Sequence, residues 1–314
     1  MTEPTESRLV YDCVVVGGGP AGLTAALQAA RYNRRVILFD SGMGRSTYNQ
    51  INHNYLGFPG GLAARELRAL GRKQLSAYPV AIIDEPVVAA CLEGDLVRVQ
   101  SEESGPFWGR TAIIATGVRD RFPKFPEWER FVGRSFFWCI TCDGYSTRGK
   151  NIVVVGNDSD AGVTALQFLQ FTNQIVLLTN DAELAIDERV CSELERANIP
   201  LVVDTIKRVD GHDGIVGQIQ LDSGRSLHPD FLFNLQGSAP NSELAASLGV
   251  KLSNSGYIVT DQEQRTNIAN VFAAGDVTRD LSHQVATAVH EGNTAAQAAN
   301  YYLYRPEQRH ETYA

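Results

Sequence analysis

The chain has 314 residues, of which 44% are hydrophobic and 20% charged, and it carries a formal charge of −8. That length suits two domains with separate cores, and the acidic balance argues against a general nucleic-acid binder. No apolar run is long enough to span a bilayer, and the opening MTEPTESRLVYD lacks the basic and apolar regions of a secretory signal, so the expected location is a reducing cytoplasm.

Residues 11–16 form a short apolar run, followed by GGGPAG at 17–22 and a helical composition at 23–30. This reads as strand, glycine turn, helix. Gly17, Gly19 and Gly22 fit the pattern that lets a backbone approach a pyrophosphate at a helix N-terminus. A second strand over 35–39 ends in Asp40, where an acid would bind a ribose hydroxyl.

Residues 41–61, rich in Gly, Asn, Ser and Tyr, are expected to be a long loop over a bound cofactor. A helix over 62–76 carries Arg65, Arg68, Arg72 and Lys73 on a face read as solvated or as meeting an acidic partner. Short strand-like runs between 80 and 115 are expected to form a β-meander ending at ATG, 115–117.

Residues 119–134, dense in Pro, Arg and Phe, deliver the chain to FFWCITCDGY at 136–145. Cys139 and Cys142 are spaced to close a small disulfide or to offer two thiols, with Asp143 next to them as a proton handler. The competing reading is half of a zinc site, but no second cysteine or histidine pair stands at a usable spacing. Cys13, Cys91 and Cys191 read as reduced and structural.

A second βαβα pattern follows, with strands over 151–155 and 175–178 and helices over 161–171 and 182–197. Residues 200–235 are expected to add a second meander and 237–241 a return crossover. Residues 271–274 are expected to be a buried strand leading to Gly275 and Asp276, and a helix starts over 283–285 with its N-terminus able to face an anionic cofactor group. His283 reads as a base or as a capping residue. The tyrosine-rich end offers Tyr313 as a lid over a bound cofactor or as a frayed tail.

Together, GGGPAG, NYLGFPG at 54–60, ATG, CITCDGY, TNIANVFAAGDV and HQVATAVHEG resemble low-molecular-weight thioredoxin reductase over essentially the whole chain. The resemblance implies an α/β fold of two Rossmann-like, three-layer ββα domains. An FAD-binding domain would comprise 1–118 and 245–314, with a redox-disulfide domain at 119–244 inserted in it. It further implies a homodimer with one FAD per subunit and a thioredoxin-like protein or small dithiol as substrate. By position, Cys142 becomes the flavin-facing sulfur, Cys139 the sulfur that attacks the substrate, and Asp143 the acid/base. FAD contacts are implied for Gly17, Gly19, Pro20, Ala21, Gly22, Asp40, Arg45, Asn54, Val87, Thr116, Gly117, Gly275, Asp276, His283, Gln284 and Val285.

The second nucleotide turn departs from that pattern. It reads Gly156, Asn157, Asp158, Ser159, Asp160, Ala161, and no basic residue lies between Lys150 and Arg189. Like charges about 4 Å apart repel by roughly 4 kcal/mol at an effective dielectric of 20, about three decades of affinity. A dinucleotide carrying an extra phosphate wants glycines and arginine there. The expectation is therefore a disulfide oxidoreductase whose flavin is fed by a ferredoxin, a flavodoxin or another flavoprotein. An NADPH-dependent reductase, an oxygen-using dithiol oxidase and a flavin-binding redox sensor stand as alternatives.

Overall fold

The computed structural model describes residues 8–123 and 125–310. Its helices are α1 (Pro20–Arg31), α2 (Ala64–Leu75), α3 (Ile140–Asp143), α4 (Ser159–Gln167), α5 (Glu188–Arg196), α6 (Glu243–Ser247) and α7 (Val285–Tyr302). The chain divides into two units, one holding the described residues up to 47, residues 64–119 and those from 239 onward, the other holding 48–63 and 120–238. The main crossovers thus fall at 119/120 and 238/239, beside the 118/119 and 244/245 expected from sequence.

In the first unit Val10–Val16 lies between Val36–Phe39 and Pro106–Ile114, all parallel, and Val80–Ile83 extends the sheet beyond Val36–Phe39. Unbroken runs such as VILF suit strands covered on both faces, and Val14, Val15, Ile37 and Leu38 are fully buried. Pro106–Ile114 does two jobs along its length. Its residues 112–114 pair in parallel with Val271–Ala273, while 106–109 pair antiparallel with Leu96–Ser101, which pairs with Val87–Glu93. Only these last three strands make the expected meander. Val80–Ile83 joins the parallel sheet instead, because α2 carries the chain back to lie beside Val36–Phe39 as a βαβ unit.

Small residues let α1 and α7 approach closely over one face of this sheet, with Ala21, Ala25, Ala288, Ala295 and Ala299 in a shared core. A Cβ at Gly292 would stand 2.2 Å from the Ala21 carbonyl oxygen, so that position requires glycine. The other face is covered by the meander and α6, through Ala90, Val97, Val99, Ala245 and Leu248.

The second unit has a parallel sheet in the order Phe136–Phe137, Phe231–Asn234, Ile152–Val155, Ile175–Leu178, Leu201–Val202. Helices α4 and α5 pack on one face through Ala161, Ala165, Val190 and Leu194. The antiparallel Ile206–His212, Ile215–Leu221 and Ser226–Leu227 pack on the other through Val209, Val216 and Ile219. Both units are therefore three-layered α/β folds.

Helix boundaries shift for local reasons. The helix expected over 161–171 starts at Ser159, where Asp158 caps it, and tightens into a 3-10 turn over Phe168–Gln170. The helix expected from 182 begins only at Glu188. Asn157 and Ser159 capture the backbone of 183–187 by side-chain hydrogen bonds, holding it out of helical geometry. The loop expected over 41–61 contains a 3-10 turn, Arg45–Thr47, and a strand, Ile51–Asn52, paired with Leu62–Ala63. Among the described residues no helix is long and apolar enough to cross a membrane.

Candidate active site

The first nucleotide turn is built by contacts that exclude side chains. A Cβ at Gly17, where φ is +117°, would stand 2.2 Å from the Ala115 carbonyl oxygen, and one at Gly22 would stand 1.8 Å from the Gly17 carbonyl oxygen. Gly19 differs: the nearest atom to an added Cβ is the Ser46 hydroxyl at 4.0 Å, so its outer side is open. Gly19 is the N-cap of α1, no side chain caps that helix, and Pro20 opens it. The amide groups of Ala21 and Gly22 therefore keep their donors for an anion. This open, uncapped turn fits a dinucleotide pyrophosphate.

Asp40 ends Val36–Phe39 and is buried beneath Gly18. Its carboxylate accepts from Arg68, from Arg72 at 2.9 Å and from the Gly42 amide at 3.0 Å. Two arginines of the helix face read as solvated are thus spent on this acid. A carboxylate has about four acceptor positions, so a fourth remains for a ribose hydroxyl.

On the late strand, Gly275 adopts φ +83°, and Asp276 accepts from Arg45 Nη1 at 3.0 Å. The Gly275 amide donates to Glu291 Oε2 at 2.7 Å, and Arg279 pairs with the other oxygen of that fully buried carboxylate. His283 places Nε2 2.7 Å from the Arg279 carbonyl oxygen, and Gln284 is the N-cap of α7 with no side-chain cap, so Val285 opens a second uncapped helix. Thr116 donates to the Asn241 carbonyl at 2.6 Å, the Gly117 carbonyl accepts from the Asn241 amide at 2.9 Å, and Val87 begins the outer strand of the meander. Asn54 lies in the 48–63 segment that groups with the second unit, and Tyr313 lies outside the described residues. Glu291 was not among the residues singled out from sequence.

In the second unit Cys139 and Cys142 are joined as a disulfide with Cα atoms 5.3 Å apart. Cys139 is the N-cap of α3, and the Cys142 amide donates to its sulfur at 3.0 Å. Both cysteines are half-buried. Burial pushes the neighbouring Asp143 carboxyl from the ordinary 3.8 up to about 7, so near neutrality it is part protonated and able to give or take a proton.

The second turn is closed by its own side chains. Asp158 is the N-cap of α4 and accepts from the Ala161 amide at 2.8 Å. Ser159 donates to Asp187 at 2.6 Å and accepts from the Asp187 amide at 3.0 Å. Asn157 donates to the Glu183 carbonyl and accepts from the Ala185 amide, both at 2.9 Å. After Ile175–Leu178, Thr179 bonds the Asp181 carbonyl at 2.9 Å, and Asn180, at φ +53°, accepts from the Ile206 amide at 2.9 Å.

Residues 11–292 match the pyridine nucleotide-disulphide oxidoreductase family. A thioredoxin reductase of Treponema pallidum is 30% identical over 93% of this chain and 97% of its own length. One from Claviceps purpurea is 31% identical over 93% and 94%. The crystal structure of thioredoxin reductase from Streptococcus pyogenes superposes with a TM-score of 0.87 at 28% identity, covering 95% of this chain and 99% of that one. With an open glycine turn suited to FAD and a paired CxxC, the chain belongs to the pyridine nucleotide-disulphide oxidoreductase family, as an FAD-dependent disulfide oxidoreductase of thioredoxin reductase type.

Proposed function

We propose that this protein passes electrons from FAD through the Cys139–Cys142 disulfide to the disulfide of a thioredoxin-like protein or of a small substrate, and that its electron donor is not NADPH. The observation that carries the second half is the stoppered N-terminus of α4. An anion seated there would meet the carboxylate of Asp158, which already takes the Ala161 amide at 2.8 Å. It would also meet a segment, 183–187, strapped down by Asn157 and Ser159. No basic residue lies between Leu178 and Arg189 to meet an extra phosphate where the second strand ends. A low-potential protein of ferredoxin or flavodoxin type is the donor this leaves. The resemblance to thioredoxin reductase supports a homodimer in the cytoplasm.

FAD, when bound, would supply a two-electron carrier for the disulfide. Gly17, Gly19, Pro20, Ala21 and Gly22 would hold its pyrophosphate, Asp40 its ribose, and Gly275 and Asp276 with the 283–285 helix start its flavin end. Reduction of the disulfide takes two electrons and two protons as the bond between Cys139 and Cys142 breaks. Asp143 delivers one of those protons to sulfur, which its carboxyl at about 7 suits. The amide of Cys142 favours negative charge on Cys139, so Cys139 attacks the partner disulfide and forms the mixed disulfide. Cys142 then displaces it, restoring the internal disulfide and releasing the partner as a dithiol.

The test is anaerobic mixing of the oxidised holoprotein with millimolar NADPH. The flavin band is expected to persist with NADPH and to bleach with dithionite or a reduced low-potential protein. Bleaching by NADPH on the timescale of turnover overturns the donor assignment and makes the protein an ordinary NADPH-dependent reductase.

A further inference from the structure

We infer that Glu291, working with Arg279, is the positioning residue that fixes the Gly275–Asp276 turn for FAD. This rests on the reading above that Asp276 holds the flavin end of the cofactor. Glu291 lies on the second turn of α7, in a helix otherwise lined by alanines against α1, and its side chain is fully buried. A charge in such a place survives only where it is paired and hydrogen-bonded. Its partners all belong to one short stretch. Gly275 donates its amide at 2.7 Å, the Thr278 hydroxyl lies 3.2 Å away, and the Arg279 guanidinium binds the second oxygen.

These contacts span both ends of the 3-10 turn Asp276–Thr278. Gly275 begins it at φ +83°, a backbone conformation that only glycine adopts without strain, and a Cβ there would stand 2.9 Å from the Ala21 Cβ. Such a turn has few interactions of its own to define it. The Thr278 hydroxyl and amide both reach back to the Gly275 carbonyl at 2.9 Å, while the amide of Gly275 donates to Glu291, its partner among the described residues. Asp276 points to the other side, where Arg45 meets it at 3.0 Å. Glu291 therefore sets where Asp276 stands without touching what Asp276 binds.

Arg279 extends the same device to the start of α7. Its side chain is on Glu291 while its carbonyl lies 2.7 Å from His283 Nε2. One buried carboxylate thus holds the turn bearing Asp276 and, through Arg279, the approach to the uncapped end of α7. Replacing it by an amide of the same shape keeps an acceptor for Gly275 and removes the attraction for Arg279. The turn then loosens without an empty space being made.

The experiment measures FAD affinity by reconstituting apoprotein, for wild type, Glu291→Gln, Asp276→Asn and the double variant. Hydrogen bonds to a charged group are worth enough that Glu291→Gln should weaken FAD binding roughly tenfold or more. Asp276→Asn should weaken it as well, and the effect of Glu291→Gln should largely vanish in the Asp276→Asn background. A merely structural Glu291 gives multiplied losses in the double variant, and that result overturns the inference. So does unchanged affinity in Glu291→Gln beside a weakened Asp276→Asn, which leaves the cofactor reading intact. Unchanged affinity in Asp276→Asn removes the cofactor reading and the inference with it. Should Glu291→Gln not fold, Arg279→Gln decides: its side chain is 45% exposed, so the fold tolerates the change. A coupled loss with Asp276→Asn supports the inference, and an uncoupled one or none overturns it.

Discussion

Two strand–turn–helix units in one chain treat the end of their first helix in opposite ways. At α1 the N-cap is Gly19, no side chain reaches the helix end, and the space beyond Gly19 is clear to 4.0 Å. At α4 the N-cap is Asp158, whose carboxylate takes the Ala161 amide, and Asn157 and Ser159 bind the neighbouring loop. The four residues of each strand that lead into its turn, Cys13 to Val16 and Ile152 to Val155, are apolar and buried. Keeping a nucleotide-type fold and keeping a nucleotide site are thus separate properties. The βαβ frame persists on packing alone, while the site depends on leaving the backbone donors of the first helical turn unsatisfied for a ligand.

The largest effect should come from making the first turn resemble the second. Gly19→Asp adds a carboxylate where nothing blocks it, so the fold should survive. Flavin affinity should fall by roughly 4 kcal/mol, about a thousandfold, as a carboxylate faces the pyrophosphate at close range. Purified protein that retains its yellow colour at full FAD content contradicts this placement.

Next in size is Asp143→Asn, which tests the redox chemistry of the second unit apart from its nucleotide turn. Disulfide exchange should slow by about 10²–10⁴-fold, and the wild-type fall in the proton-donating step as pH rises through about 7 should disappear. The sign for stability is opposite. Asp143 has its folded value raised from 3.8 to about 7, so folding is penalised as pH rises through that window, by up to about 4 kcal/mol. Asp143→Asn should therefore be more heat-stable than wild type at pH 8 and no different at pH 3; equal melting at both overturns the buried-acid assignment.

A spectroscopic contrast follows for the cysteines. Cys139→Ser leaves a Cys142 thiolate and should add long-wavelength absorbance to the flavin spectrum, while Cys142→Ser should not. The reverse pattern exchanges their roles.

The smallest effect is expected from opening the second turn. Asp158→Ala removes the cap of α4, costs about 1 kcal/mol, and should lower the melting of that unit by roughly 2–4 °C. It should not restore reduction by NADPH, because the Asn157 and Ser159 straps and the missing arginine remain. A single change that did restore it makes Asp158 the sole barrier.

Much of the architecture was legible because it follows from apolar runs: VILF, IVVV and IVLL are strands as read. Val80–Ile83 was misplaced because four apolar residues cannot say whether their neighbour is the strand that follows or one about 40 residues earlier. Residues 182–187 read as helical by composition, yet Asn157 and Ser159, distant in sequence, hold them otherwise. The same limit hid the pairing of Asp40 with Arg68 and Arg72 and the role of Glu291. Motif spacing finds residues that act on a ligand along one turn. It does not find a carboxylate on a later helix whose partner is a backbone amide.

The mating of Val271–Ala273 with Pro106–Ile114, and of α7 with α1, also sets the order in which the protein is completed on the ribosome. The first strand and helix to emerge wait for the last. A nascent chain paused before residue 271 already holds every strand of the second unit, but the alanine face of α1 has no cover and the first sheet lacks its final strand. The insert closes before its host, and apolar surface from the first unit stays exposed until Val271–Ala273 and α7 have emerged, the interval in which a chaperone has something to hold.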